Sequence, residues 1–248
     1  MISAVVNTYN AQETLRSTLS SLCGQVDEIV LCDMQSTDDT LLIARDFGCK
    51  IITHPRQESD ICESARNFAF SHATAEWVLV VDADEVVTHS LLEYLRGVAK
   101  QPNPPSGIYI PRKNHMLGVF TRSSYPDYQL RFFKRQDAYW PPTIHSKPIV
   151  SGRTEHIAAS REDLAIVHAP DTMERIMEKW NRYSTFEATK RKSTGQTVSW
   201  SKMFFSPLFR FIKVYFLKGG FRYGKVGIVQ AYQDAFYKLL VMAKMIEK

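Results

Sequence analysis

The sequence predicts an α/β fold: a doubly wound, mainly parallel sheet with helices on both faces, followed by a helical C-terminal extension. Short apolar runs alternate with helical patterns through the first hundred residues, and two of those runs end abruptly in carboxylates. With 248 residues and 44% hydrophobic content, the chain is long enough to bury a full core.

The elements follow in order. Ile2-Ser3-Ala4-Val5-Val6 reads as a first strand, and a helical pattern runs from Ala11 to Leu22 on Leu15, Leu19 and Leu22. Glu28 to Asp33 is a second apolar strand ending in a carboxylate. Ser36-Thr37-Asp38-Asp39-Thr40 then supplies an N-cap and an acidic first turn for a helix reaching Phe47, which Gly48 terminates. A third strand spans Lys50 to Thr53, and a helix from Glu58 to Ala73 feeds a fourth strand, Trp77-Val78-Leu79-Val80-Val81. That strand runs straight into Asp82-Ala83-Asp84-Glu85. Carboxylates at the carboxyl end of a buried strand face the crevice where ligands bind, and an Asp-x-Asp pair is spaced to hold a divalent cation against a diphosphate. Taken alone, such a pair also suits a turn or a solvated helix start.

Four segments in order, Val6-Asn7-Thr8-Tyr9-Asn10, Asp33 to Thr40, Arg66-Asn67 and Asp82 to Glu85, resemble glycosyltransferase family 2, inverting enzymes with the GT-A fold. Further likeness through Tyr125 to Arg135, His145 and Lys179 to Ser184 is similar to the bacterial subgroup containing lipopolysaccharide inner-core glucosyltransferases. The resemblance implies a GT-A domain over 1–198, with a nucleotide-binding half at 1–100 and an acceptor half at 101–198. Residues 199–248 form the extension. It further implies a nucleotide-sugar donor, most simply a UDP-hexose, and Mn2+ or Mg2+ as cofactor.

The roles it implies fall on particular side chains. Asp84 and Asp82 are the metal candidates, Asp82 lying nearer the ribose or the metal waters, and His145 is a third ligand or an acceptor-site residue. Asp33 would accept hydrogen bonds from the base or ribose, Thr8, Tyr9 and Asn10 would cradle the base, and Arg66, with Asn67, would approach the diphosphate. Asp127 is the candidate general base and Glu85 the fallback; His168 is placed to line the metal pocket. Relatives of the subgroup carry His-Glu where this chain has His145-Ser146, a departure that removes one obvious carboxylate. Bland readings remain for each: Asp33 as a turn cap, Arg66 as a partner of Glu63, Glu85 as a helix start.

Charge is partitioned along the chain. Residues 1–100 hold 7 Lys or Arg against 15 Asp or Glu, residues 101–198 hold 15 against 9, and residues 199–248 hold 9 against 2. An acidic first half joined to a basic remainder points to an anionic partner. The stretch from Trp200 to Lys218 interleaves Phe204, Phe205, Phe209, Phe211 and Phe216 with Lys202, Arg210, Lys213 and Lys218, too charged to cross a bilayer but suited to lie in its interface. An anionic glycolipid acceptor with peripheral membrane contact is the favoured partner; a nucleic-acid or protein acceptor is the alternative, and packing on the domain or on a second subunit is the plain reading of the helix. Gly219-Gly220 should break it before a last helix from Val226 to Ile246. The four cysteines, Cys23, Cys32, Cys49 and Cys62, lack metal-ligand spacing and are expected to be buried free thiols; with no leader pattern at the N-terminus, the expected location is the cytoplasm, or the inner face of the membrane. A sugar nucleotidyltransferase is disfavoured because Asn7-Thr8-Tyr9-Asn10-Ala11-Gln12-Glu13 is no glycine-rich basic loop, whereas a noncatalytic nucleotide-sugar-binding protein stays open.

Overall fold

The computed structural model describes residues 1–56, 62–141 and 147–247. It divides into two compact units, Met1–Lys113 with Pro126–Ala169, and Asn114–Tyr125 with Pro170–Lys248. The expected division at residue 198 differs from this one, since the helix Met173–Ser193 falls in the second unit.

In the first unit, β1 (Ile2–Thr8), β2 (Glu28–Asp33), β3 (Lys50–Thr53) and β4 (Trp77–Asp82) pair in parallel in the order β3-β2-β1-β4. The sheet continues through β8 (Asp127–Lys134), β6 (Gly107–Met116), β12 (Ile166–Asp171) and β5 (Glu85–Val86). Here the expectation of a mainly parallel sheet is refined: β4 with β8, β6 with β8 and β12 with β5 all pair antiparallel, making the sheet mixed. The register aligns Thr8 with Asp33 and Asn7 with Asp82, so the carboxyl ends of β1, β2 and β4 form one edge. Because β8 runs opposite to β4, its first residue, Asp127, comes to that same edge.

Alternation along the strands sends side chains to two apolar layers. Ala4 and Val6 of β1, Leu79 and Val81 of β4, and Phe132 pack with Leu15, Leu19 and Leu22 of α1 (Leu15–Leu22), Ile43 and Ala44 of α2 (Thr40–Asp46), and Leu91, Leu92 and Leu95 of α4 (His89–Ala99). Val5, Val30, Val78, Val80, Leu130 and Phe133 face Ala65, Ala69 and Phe70 of α3 (Cys62–Ser71). Trp77 stacks on Phe132 with ring centroids 4.7 Å apart, joining β4 to β8. α1 begins at Leu15 rather than Ala11, and α2 is entered through Asp38, which accepts the Thr40 backbone N–H at 3.0 Å; Asp39 at the cap position makes no side-chain cap bond. Thr88 caps α4 by accepting from the Leu91 N–H at 3.2 Å, fixing the helix start just after the site. The cysteines divide: Cys32 is buried, its thiol pushed up to about 12 by burial, but Cys23 is exposed because it follows the last residue of α1 on the solvent side.

In the second unit, α5 (Met173–Ser193), α6 (Trp200–Ile212) and α7 (Gly224–Ile246) lie with the hairpin formed by the end of β6 and β7 (Val119–Phe120). Trp180 of α5 meets Phe236 and Tyr237 of α7, and the Tyr237 hydroxyl donates to Glu187 at 3.0 Å. Tyr223 and Gln230 hold the hairpin, accepting from the Arg122 N–H and the Ser123 hydroxyl at 2.9 Å each. A break at Gly219, with φ of 71°, turns the chain between α6 and α7 as expected. Gly227 admits no side chain, because a Cβ there would lie 1.8 Å from the Gly220 carbonyl oxygen.

Glu28 fastens the starts of the parallel strands, accepting from the Ser3 hydroxyl and from the Thr74 N–H and hydroxyl. Partial burial pushes its carboxyl up, but these donors, Ser3 first, bring it below its ordinary value. A depressed folded-state pKa contributes stability that is complete above the ordinary glutamate range and is lost as pH falls through the folded value. Urea unfolding midpoints measured from neutral pH down through that range should therefore fall less steeply for Glu28→Gln than for the parent; parallel curves would show that the donors do not favour the charged form.

Candidate active site

The edge formed by β1, β2, β4 and β8 gathers the candidate residues of the first unit. Asp33 is buried and accepts from the Thr8 hydroxyl at 3.3 Å and the Ser36 N–H at 3.0 Å, so Thr8 serves to hold this carboxylate. The loops after β1 and β2 are laced to each other: the Asn10 side chain accepts from the Thr37 N–H at 2.8 Å while its own N–H donates to Ser36 Oγ at 2.9 Å. Asn10 and Gln35 sit at φ of 46° and 64°, conformations that the crossing hydrogen bonds maintain at the mouth of the crevice. Tyr9 is exposed, and the Arg56 guanidinium lies 3.9 Å from its ring centroid.

The centre of the site is a buried ion cluster. Asp82 accepts from Arg66 at 2.9 Å and from both terminal nitrogens of Arg131. Glu85, with no exposed surface, accepts from the Asp82 N–H at 2.9 Å, Arg112 at 3.1 Å and Arg131 at 3.2 Å. Arg112 continues the chain outward, donating through Nε at 3.0 Å and Nη2 at 2.7 Å to one oxygen of Asp127, whose other oxygen accepts from Gln129 at 2.9 Å. Burial pushes Asp82 up, yet Arg131 and then Arg66 outweigh it and hold the carboxyl far below the usual range. Burial likewise disfavours the charge on Arg131, and Asp82 followed by Glu85 restores it. The register of β6 on β8 shifts between Ile108 and Tyr109, which pair with Phe132 and Leu130, so Arg131 is the extra residue of a bulge that aims it at Asp82.

Asp84 is placed differently from Asp82. Its carboxylate lies 3.3 Å from His168 Nε2, and its carbonyl accepts from the Ala169 N–H at 2.8 Å, which ties the Asp-x-Asp turn to β12. Burial lowers the His168 pKa, but the bond to Asp84 raises it above the ordinary value. The donor set tests the implied cation directly. Asp84, in the turn between β4 and β5, and His168, on β12, offer a carboxylate oxygen and an imidazole nitrogen side by side, and they fit a divalent ion. Asp82 does not fit as a direct ligand here, because guanidinium donors occupy both of its oxygens. Among the described residues no group of three His, Cys, Asp or Glu is clustered for a metal, and His145 lies outside them, as does Ser146.

Other expectations change role. Glu85, the fallback base of the sequence reading, is fully buried and its carboxylate is taken up by the Asp82 N–H and by Arg112 and Arg131, so it positions the two arginines. Asn67 spends both ends of its amide on the backbone of Trp140, accepting from the Trp140 N–H at 2.9 Å and donating to its carbonyl, so it anchors the chain after β9 (Ala138–Tyr139) rather than facing a ligand. Arg66 pairs with Asp82 and stacks over Trp140 at 4.4 Å. Arg112 and Arg131 were given no role by sequence. A cation set within the apolar run Leu130-Arg131-Phe132-Phe133 was the available signal, since a buried charge requires a partner.

Comparison with known proteins follows the same line. The family model described as glycosyl transferase family 2 matches residues 3–149. Across nearly its whole length the chain is similar to an uncharacterized glycosyltransferase of Rickettsia felis, 24% identical over 99% of this chain and 89% of the relative. It is also similar to the lipopolysaccharide core biosynthesis glycosyltransferase LpsC of Rhizobium meliloti, 23% identical over 100% of this chain and 92% of that protein. Among solved structures, residues 1–349 of S. aureus TarS superpose with a TM-score of 0.50 at 16% identity, covering 94% of this chain and 89% of that one. The fold is GT-A.

Removing Arg131 from the cluster leaves Asp82 and Glu85 buried with too few donors. Arg131→Met should cost about 3–5 kcal/mol in urea unfolding, the usual penalty for breaking a buried pair from one side. A loss below about 1 kcal/mol would mean that water or Arg112 replaces it.

Proposed function

Since the chain belongs to glycosyl transferase family 2, its model spanning more than half of the residues, we propose that it transfers a hexose, with inversion, from a UDP-sugar to a hydroxyl of an anionic glycolipid of lipopolysaccharide-core type. The observation that carries this reading is the convergence of Asp33, Asp82 and Asp127 on one sheet edge, with Arg66 and Arg131 paired to Asp82, Arg112 paired to Asp127, and Asp84 beside His168 just past β4. The likeness to LpsC supports the acceptor class.

Each group has a task in that reaction. Asp33 accepts from the base or ribose of the donor, and Tyr9 offers its exposed ring beside it. Asp127 receives the proton of the acceptor hydroxyl as the hydroxyl oxygen bonds to the anomeric carbon; the bond from that carbon to the diphosphate breaks, and its electron pair leaves with the diphosphate. Arg112 fixes the orientation of Asp127 through a two-toothed contact while Glu85 holds Arg112 from behind. Asp84 and His168 would hold Mn2+ or Mg2+, which supplies positive charge to the diphosphate when bound. Asp82 keeps Arg66 and Arg131 at the same end of the sheet, adding fixed cations toward the departing phosphate. The enzyme acts at the cytoplasmic side of the membrane as a peripheral protein; no helix among the described residues is long and apolar enough to cross a bilayer.

Two measurements test the assignment. UDP should raise the melting temperature far more with Mn2+ than with chelator, and Asp84→Ala should abolish that difference, because a ligand stabilises the state it binds; equal stabilisation in chelator would remove the metal from the donor site. Asp127→Asn should keep the UDP-dependent shift while transfer from UDP-hexoses to lipopolysaccharide-core acceptors falls at least ~100-fold. Near-normal transfer would take the proton acceptor away from Asp127, and no turnover of any nucleotide sugar by the parent chain would overturn the enzymatic reading.

A further inference from the structure

Helix α6 has no buried residue of its own, although most of its side chains are apolar. Phe204, Phe205, Leu208, Phe209 and Ile212 are all exposed, Phe205 and Phe209 at 61% each, and Trp200 at the start of the helix reaches 90%. At 100° per residue these five side chains fall within one face, Phe211 borders it beside Phe204, and the opposite side carries Met203 and Arg210. Arg210 is turned inward and paired with Asp234 of α7 at 3.2 Å. Lys202 and Lys213, by contrast, are exposed along one border of the apolar face. The helix continues through a π turn at Lys213–Leu217, which leaves Phe216 and Leu217 exposed beyond the last full turn. Between α6 and α7, Phe211 meets Tyr232 at 4.7 Å, so the outward Tyr232 and Phe236 of α7 extend the same surface.

Solvated faces do not normally present so many large apolar side chains together. Residues 199–248 hold 9 Lys or Arg against 2 Asp or Glu. A second copy of this segment would bring like charge against like charge, whereas an anionic surface matches it. We infer that the outer face of α6, bordered by Lys202 and Lys213 and joined to α7 at Tyr232, docks on an anionic lipid bilayer, lying in the headgroup region with the phenyl rings inserted. The inference deepens the glycolipid reading by naming the surface that meets the membrane, and it needs neither donor nor turnover for its test.

The intact chain should sediment with vesicles of phosphatidylcholine mixed with an equal part of phosphatidylglycerol, much less with phosphatidylcholine alone, and should be released as salt rises, because headgroup attraction is screened over about 10 Å at 0.1 M ionic strength. The exposed pair Phe205→Ser with Phe209→Ser should weaken partition at least ~10-fold, and Lys202→Glu with Lys213→Glu by a similar factor. Both variants should keep the parent melting temperature. Asp127→Asn should bind vesicles as the parent does, which separates failure of the docking surface from failure of the catalytic assignment. Absence of vesicle binding by the parent, binding indifferent to both double variants, or a dimer in light scattering that the phenylalanine variant converts to monomer would each overturn the lipid assignment, the last in favour of a second copy.

Discussion

Four charged side chains from four separate strands, Asp82, Glu85, Arg112 and Arg131, neutralise one another inside the sheet, and much of the first unit's geometry depends on them. Ions taken out of water are tolerated only when each has partners with good geometry. That requirement fixes where β4, β6 and β8 end relative to each other, and so where Asp127 and Asp84 emerge. Stability and chemistry share the same atoms here: the contacts that satisfy the interior also set the orientation of the edge residues.

The parallel half of the sheet was legible because its strands are buried on both faces and read as unbroken apolar runs. Asp33 and Asp82 were legible because a carboxylate at the end of such a run has no reason to be there except an edge or a partner. What sequence could not supply was the choice between those two reasons. For Asp82 the partners come from Arg66, 16 residues away, and Arg131, 49 residues away, a pairing no local pattern encodes. Asn67 is obscured for a similar reason: a side-chain amide beside an arginine suited to phosphate reads as a ligand-facing group until its backbone partner at Trp140 is placed. The antiparallel half was obscured by strands only partly apolar and by the interruption at Arg131.

The second unit obeys a different logic. Its helices are joined by Trp180, Phe236, Tyr237 and Phe211, yet α6 turns most of its apolar mass outward. Amphipathic periodicity identifies which residues share a face but not which face is inside. The pairing of Arg210 with Asp234 shows that this cation, and not the phenylalanine stripe, looks toward the neighbouring helix.

The bulge at Arg131 makes chain length itself a determinant of chemistry. With one residue fewer, β8 would run along β6 as an ordinary ladder, and Leu130 and Phe132 would become consecutive, still alternating between the two apolar layers. Such a deletion is nearly invisible to hydrophobic patterning, but it would strip Asp82 of its strongest counter-ion and Glu85 of one of its arginines. A single extra residue in an otherwise regular strand thus separates a sheet that merely folds from one that carries a charged centre.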